Sequence, residues 1–241
     1  MSPRVMTVVR WTSGAVALAG LSAGVWYGYG SVLERPVERV EFTGETTRVA
    51  KVDLEQLAAG VRGHPSSAAK LAEVREAARR IPWVRDAFVR RRFPAAIEVT
   101  IASYEPLARW DETRLVSVRG ELFAADFTGD LPKFTGPDSS EGDMTRTWAV
   151  VLPALAPLAS PVVELRLSAR RAWQAKLASG LVLELGRDDL EARMQRFTES
   201  WPRLAALDPK HADLRYGNGF ALRTAAVPEA RPKPAATKKK T

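Results

Sequence analysis

The first strong pattern along the chain is an absence of charge: residues 11–33, WTSGAVALAGLSAGVWYGYGSVL, carry no charged side chain. A helix of that length is about 34 Å long at 1.5 Å of rise per residue, enough to cross a bilayer's hydrocarbon core. Arg4 and Arg10 precede the stretch without an acid, whereas Glu34, Arg35, Glu38 and Arg39 cancel just after it. That asymmetry places residues 1–10 in the cytoplasm and everything from Glu34 onward outside it. Trp11 near one end and Trp26, Tyr27 and Tyr29 near the other fall at headgroup depth, where amphipathic rings sit favourably. A cleaved signal peptide would need a shorter apolar core and an A-x-A-like site. Leu21 spoils one frame and Ser22 to Gly24 matches weakly, so the stretch reads as an uncleaved anchor. Glycines at 14, 20, 24, 28 and 30 count against a core helix of a soluble protein, because lipid tolerates them better than water does.

After the anchor the pattern changes period. Val40 and Phe42 alternate with Arg39, Glu41 and Thr43 up to Gly44, which predicts a short strand. Residues 50–60 carry Val52, Leu54, Leu57 and Ala58 between Asp53 and Gly60, the pattern of a short helix stopped by glycine. His64-Pro65-Ser66-Ser67 reads as a loop. A second helix sets Leu71, Val74, Ala78 and Ile81 on one face and ends before Pro82. A strand from Trp83 to Phe93 alternates untidily, since Val84, Ala87, Phe88 and Val89 do not share a face, and Phe93-Pro94-Ala95 breaks it. Between Ala96 and Tyr104 the alternation is clean, with Ile97, Val99 and Ile101 against Glu98, Thr100 and Ala102. Residues 34–104 thus form one unit in the order strand, helix, helix, strand, strand.

Beyond Trp110 the chain turns largely to strands: Leu115 to Val118, a turn at Arg119-Gly120, Leu122 to Ala124, then a loop through Leu131-Pro132-Lys133-Phe134. Residues 137–143 read as polar loop, and Thr147 to Leu158 as a buried helix that Pro153 and Pro157 break or shorten. Strands resume at Val163 to Leu167, Ala172 to Leu177 and Leu181 to Leu185. A helix then carries Leu190, Met194, Phe197, Trp201 and Leu204 at alternating steps of four and three, with Asp188 or Asp189 as its N-cap. Ala212 to Arg223 reads as one last strand with a glycine-marked bend. The fold class expected is α+β, with a strand-rich domain over residues 105–223 and a helix before the last strand.

Charge changes the picture only at the ends. Of the net +8, residues 1–33 hold +2 and residues 224–241 hold +4, which leaves +2 for the 190 residues between. A folded nucleic-acid-binding domain would carry its excess on the core instead, so no nucleic-acid partner is expected. The Pro/Ala/Lys-rich tail, residues 224–241, has too little to bury and is expected to be disordered. The chain has no cysteine, hence neither a disulfide framework nor thiolate chemistry. His64 and His211 lie far apart with no metal-ligand spacing, and Asp188 and Asp189 are better explained as helix capping than as a catalytic pair. No nucleophile elbow, Walker loop or dinucleotide fingerprint is present, and Gly217-Asn218-Gly219 lacks the helix such a loop requires. No cofactor, metal or small-molecule substrate is expected. The dense arginines, Arg75, Arg79, Arg80, Arg85, Arg90, Arg91 and Arg92, admit three readings: a solvated surface, contact with anionic headgroups, or contact with an acidic partner.

The segment IPWVRDAFVRRRFPAAIEVTIASYEPLARW, residues 81–110, resembles the FtsQ/DivIB family of bacterial cell-division proteins, and the unit before it resembles that family's POTRA domain. Pro82, Trp83 and Val84 fill the family's P-W-V turn, Arg91 and Pro94 its R-x-x-P, and Glu105, Pro106, Ala108 and Trp110 its E-x-P-x-A-x-W junction. Further on, Val116, Gly120 and Phe123, then Leu131, Pro132 and Gly136, match again, as do L-G-R-x-D at 185–189 and D-L-R-Y-x-x-G at 213–219. The resemblance covers about residues 8–223. It implies a non-catalytic scaffold of the divisome, linking early and late division proteins at the septum by binding FtsB and FtsL outside the cytoplasm and connecting to FtsK. It also implies an FtsB site on Arg215, Tyr216, Asn218, Gly219 and Phe220; by residue type Arg170 or Arg171, expected on the strand leading to Trp173, adds a second contact for an acidic partner. By residue type Arg215 can pair with a carboxylate, Tyr216 offers a rigid face, and Gly219 admits close backbone approach. The alternative is that Tyr216 and Phe220 only pack the domain's end. The competing function, an anchored periplasmic enzyme acting on the cell wall, would need a convergent acid/base pair that no motif supplies. A POTRA protein of outer-membrane assembly would continue into a long series of barrel strands, which this chain lacks.

Topology is directly testable. Alkaline phosphatase fused after Thr241 should be active, because the anchor's charge asymmetry exports everything beyond it; an inactive fusion, or a mature chain beginning near residue 24, would overturn the anchor.

Overall fold

A computed structural model describes residues 20–22, 36–64 and 70–224. The expected membrane span 11–33 lies outside the described residues except for 20–22, which are helical; the tail beyond Thr224 lies outside them too, as does most of the loop after His64. Among the described residues no helix is long and apolar enough to cross a membrane. The chain divides into two compact units at Tyr104 and Glu105, each built on its own sheet.

In the first unit β1 (Arg39–Gly44) leads to α1 (Lys51–Ala59) and α2 (Leu71–Arg79), then β2 (Val84–Arg92) and β3 (Ala96–Ser103). β3 is the central strand, parallel to β1 and antiparallel to β2. Its apolar set, Ile97, Val99 and Ile101, is buried together with Leu54 and Ala58 of α1 and Val74 and Ala78 of α2. The untidy alternation of β2 has a local cause. Trp83 adopts a left-handed φ of 72°, and the pairing register shifts between Val84 and Asp86. Val84 and Ala87 therefore both point inward although they are three residues apart. The Trp83 carbonyl accepts the Tyr104 N–H at 2.9 Å, and the Arg48 guanidinium lies 5.5 Å from its ring centroid. Together these hold a conformation that a residue bearing a side chain seldom adopts.

Glu98 departs from the simple pattern. Alternation assigns it to the solvent side of β3, but on a central strand flanked by β1 and β2 it is only 6% exposed. A carboxylate buried that far needs charged donors. Register supplies them: Arg90 lies directly opposite on β2 and donates through Nε and Nη2 at 3.0 and 3.1 Å, while Arg92 reaches both Glu98 (3.4 Å) and Glu41 of β1 (3.1 Å).

The second unit holds nine strands in the order β12-β11-β10-β9-β8-β7-β4-β5-β6. These are β4 (Pro106–Arg109), β5 (Arg114–Ser117), β6 (Leu122–Ala124), β7 (Lys133–Thr135), β8 (Val162–Leu167), β9 (Trp173–Leu177), β10 (Val182–Gly186), β11 (Pro209–Asp213) and β12 (Ala221–Thr224). Two helices, α3 (Glu141–Leu155) and α4 (Leu190–Leu204), pack against β8, β10 and each other. Phe134, Met144, Val151, Leu165, Ala175, Leu183, Met194 and Phe197 are completely buried in the common core, and the Phe134 and Trp148 rings lie 5.4 Å apart.

Several expectations need correction here. The polar stretch 141–143 is the first turn of α3, where Glu141 and Asp143 sit favourably at the positive end of the helix dipole. Pro153 lies inside that helix, which ends at Leu155 and passes into a 3-10 turn. β4 forms where a junction is expected and β7 where a loop is expected. Asp189 stands at the N-cap of α4 as expected and accepts the Arg193 N–H through its carbonyl at 3.0 Å, but it does so in a left-handed conformation and without a side-chain capping bond. The single last strand is two: β11, parallel to β10, and β12, antiparallel to β11, with residues 214–220 between them. The helix thus precedes the last two strands.

Val99→Asp would bury an unpaired charge in the middle of the first unit's core and should destabilise it by about 3 kcal/mol or more. Thermal unfolding followed by circular dichroism checks this; a variant that melts like the parent would refute the placement of β3.

Candidate functional site

Two sequence-distant motifs meet at one end of the second sheet. Gly186 closes β10 with φ 85°, and a Cβ built on it would come within 2.2 Å of Arg193 Nη1 and 3.2 Å of Arg215 Cγ. Only glycine fits there. Arg193 of α4 uses the space to donate to the Leu185 carbonyl at 2.9 Å. The Leu214 N–H donates to the Glu184 carbonyl at 2.9 Å, so the chain leaving β11 is held on β10 before it turns.

Arg215 is the first residue of the turn whose side chain faces solvent, and it is not waiting for a partner's acid. Its Nε and Nη2 donate to Asp213 at 2.8 and 2.6 Å in a two-pronged pair, and its own N–H donates to Asp213 Oδ1 at 3.1 Å. These bonds hold the Asp213 carboxyl below its usual range and raise the Arg215 guanidinium. Any incoming carboxylate therefore meets a guanidinium already engaged on one side. The signal was present in D-L-R, because residues two apart on an extended chain share a face.

Tyr216 is 58% exposed, and Asn218 is exposed beside it. Phe220 instead turns inward, edge-on to Phe197 of α4 with ring centroids 5.2 Å apart, and Phe197 stacks in turn on Trp201 at 5.7 Å. The packing explanation therefore holds for Phe220 and not for Tyr216. Gly219 has nothing within 4 Å of where a Cβ would stand, so the fold itself does not require a glycine there. Beyond this turn β12 is the outermost strand, paired on one side only.

Arg171 lies in the turn between β8 and β9, not on the strand, with φ 64°. Its guanidinium pairs with Asp143 Oδ2 at 2.5 Å, and Arg146 binds the same carboxylate. Donation from Arg171 first, and from Arg146 as well, lowers the Asp143 carboxyl. Trp173 is registered with Gly186, so Arg171 sits at the same end of the sheet as Arg215, two strands away.

The arginines of the first unit do not form one patch. Arg79 and Arg80 close α2 and Arg85 starts β2, at one end of that unit; Arg90, Arg91 and Arg92 finish β2 at the other. Arg75 is paired in two-pronged fashion with Asp86, whose carboxyl is thereby lowered to about 2. Among the described residues, no three of His, Cys, Asp and Glu gather into a set able to hold a metal ion.

The architecture is that of a POTRA domain followed by an FtsQ-type domain: residues 35–104 match the FtsQ-type POTRA domain, and residues 108–215 match the C-terminal domain of cell division protein FtsQ/DivIB. The chain is 34% identical to the cell division protein FtsQ of Xanthomonas campestris pv. campestris over 227 residues, which cover 90% of this chain and 80% of that protein. To its counterpart in Neisseria gonorrhoeae it is 31% identical over 223 residues, covering 90% and 91%. The similarity to the Burkholderia pseudomallei protein is higher, 41%, over 163 residues, or 64% of this chain and 65% of that relative, just under two thirds of its length. The chain belongs to the FtsQ/DivIB family of cell-division proteins.

The two aromatic residues of the turn should behave differently. Phe220→Ala removes a half-buried ring from Phe197 and should lower stability by about 1–2 kcal/mol, whereas Tyr216→Ala should change it by less than about 0.5 kcal/mol. Denaturant unfolding of the two variants measures the contrast, and equal losses would place Tyr216 in the core.

Proposed function

We propose that this chain is a single-pass inner-membrane scaffold of the divisome. Residues 1–10 are cytoplasmic, 11–33 span the membrane, 34–104 and 105–223 fold in the periplasm, and 224–241 form a basic tail. At the septum it links early and late division proteins, holding FtsB and FtsL and connecting to FtsK, without catalysing a reaction. The observation that supports this best is the position of β12: a terminal strand at the edge of a nine-stranded sheet, paired among the described residues with β11 alone, the arrangement that invites an incoming strand. FtsB is the strand we assign to that edge.

In this reading the turn before β12 guides the incoming chain. Tyr216 supplies a large, rigid contact surface that the fold does not use for its own packing. Gly219 leaves room for another backbone, consistent with the open space around it. Arg215 is held by Asp213 in a fixed orientation, so an acid on the partner would extend an existing pair instead of immobilising a free side chain. Arg171, at the same sheet end, would add a second site of contact for an acidic partner.

Tyr216→Ala should reduce capture of the FtsB periplasmic segment at least tenfold, the scale of a contact residue worth more than about 1.4 kcal/mol, with unchanged circular dichroism. Arg215→Glu, which also confronts Asp213 with a like charge, should abolish capture. Normal capture by both folded variants would refute the site.

A further inference from the structure

The end of the first unit where the chain comes in carries a cluster that the scaffold reading leaves unused. Because β1 is parallel to β3, Arg39 lies opposite Ala96, and the start of β1 shares one end of the sheet with the β2–β3 turn. The Glu38 N–H donates to the Ala95 carbonyl and the Val37 N–H to the His64 carbonyl, both at 2.9 Å, which fastens the incoming chain to that end. At the turn Phe93 is 79% exposed, the most exposed large apolar side chain of the two folded units. Arg39, Arg62, Arg90, Arg91 and Arg92 are exposed around the same end. Three acids share it, Glu38, Glu41 and Glu98, so five arginines leave it at +2. Glu41 and Glu98 are already engaged by Arg39, Arg90 and Arg92.

Only Glu34 and Arg35 separate the last residue of the uncharged stretch, Leu33, from Pro36, where the described unit begins. Three fully extended residue steps reach about 11 Å. With residues 11–33 in a bilayer, this end of the domain is held within that distance of the headgroups. We propose that the β2–β3 turn docks on the periplasmic surface of the membrane, with the Phe93 ring at headgroup depth and Arg39, Arg62, Arg91 and Arg92 against anionic lipid phosphates. The inference rests on the anchor reading of residues 11–33. One aromatic ring and a few arginines bind lipid weakly on a free domain, but here the tether makes the contact intramolecular and keeps the local concentration of membrane high. Arg79, Arg80 and Arg85, at the opposite end, stay in water.

The absence of cysteine makes a clean test. Phe93→Cys and, as control, Arg80→Cys are each labelled with an apolar, environment-sensitive fluorophore, and the full chain is reconstituted in vesicles of phosphatidylethanolamine and phosphatidylglycerol. The label at 93 should be quenched by a headgroup-level lipid quencher and shielded from aqueous iodide, with the label at 80 behaving oppositely. Arg62→Gln and Arg91→Gln should each lower the docked-to-undocked ratio about fivefold, and vesicles of phosphatidylcholine alone should lower it further. Equal iodide access at 93 and 80 would overturn the docking, as would shielding at 93 that arises only after another division protein is added. Alkaline extraction of the same vesicles separates the two ideas: a retained chain with an accessible label at 93 refutes the docking alone, whereas a released chain refutes the anchor and with it the tether the docking needs.

Discussion

An open sheet has to end somewhere, and in the second unit that constraint shapes the candidate site. The inner strands β8, β9 and β10 bury Leu165, Leu167, Ala175, Leu177, Leu183 and Leu185 on the face shared with α3 and α4. Extending the sheet past β10 in parallel requires the chain to cross back over that face, and α4 is the crossover. After β11 a return turn adds β12, which among the described residues pairs with β11 alone. The turn formed by residues 214–220 is thus a product of how the sheet terminates. Its inner anchor, Phe220 on Phe197, uses the same helix that made the crossover. Tyr216 and Asn218 remain outside, exposed in the turn before the strand that ends the sheet among the described residues.

Elements with a full period were legible from the residues. Ile97, Val99 and Ile101 in β3, Val163, Leu165 and Leu167 in β8, and the alternating fours and threes of Leu190, Met194, Phe197, Trp201 and Leu204 in α4 each repeat often enough to fix the type of structure. The strands that escaped are short and open with unhelpful residues: β4 with Pro106, β7 with Lys133, β11 with Pro209. In β7 a single buried residue, Phe134, carries the strand, and its place beside β8 is set by tertiary pairing that no local pattern records. α3 begins earlier than its apolar run because the stripe starts at Met144, inside a stretch whose Glu-Gly-Asp reads as loop. Strict alternation with Leu165 and Leu167 puts Val163 inward, but it is exposed, since a register shift between Val162 and Glu164 hands the inner position to Val162.

The site was legible as motifs and not as geometry. L-G-R-x-D and D-L-R-Y-x-x-G each carry the resemblance alone, but nothing in their spacing shows that Gly186 lies beneath Arg215. The pairing of Arg215 with Asp213 could have been read from extended-chain alternation. The run Arg90-Arg91-Arg92 shows the same rule acting against a sequence impression. Successive strand residues point to opposite faces, so Arg90 and Arg92 converge on Glu98 while Arg91, opposite Ile97, belongs to the other face. A charge cluster in one dimension became, in three, two sets of cations on opposite faces of one strand.

That division follows from a topological fact about the first unit that is independent of its side chains. When β3 is central, parallel to β1 and antiparallel to β2, the turn joining β2 to β3 has to lie at the end where β1 begins. Whatever residues occupy that turn are therefore carried to the end where the incoming chain is attached, and those where α2 runs into β2 are carried to the opposite end. Sequence then chooses only the chemistry at each. At the first end it places Phe93 and a surplus of arginine, after Glu41 and Glu98 have taken up the cations that stabilise the outer face of the sheet. The acids explain why Arg90 and Arg92 are there, because a buried Glu98 would otherwise lack donors. They do not explain Phe93, which is 79% exposed. A single exposed ring is ordinary on a protein surface, so what sets Phe93 apart is its place, carried by the topology to the end where the incoming chain is attached.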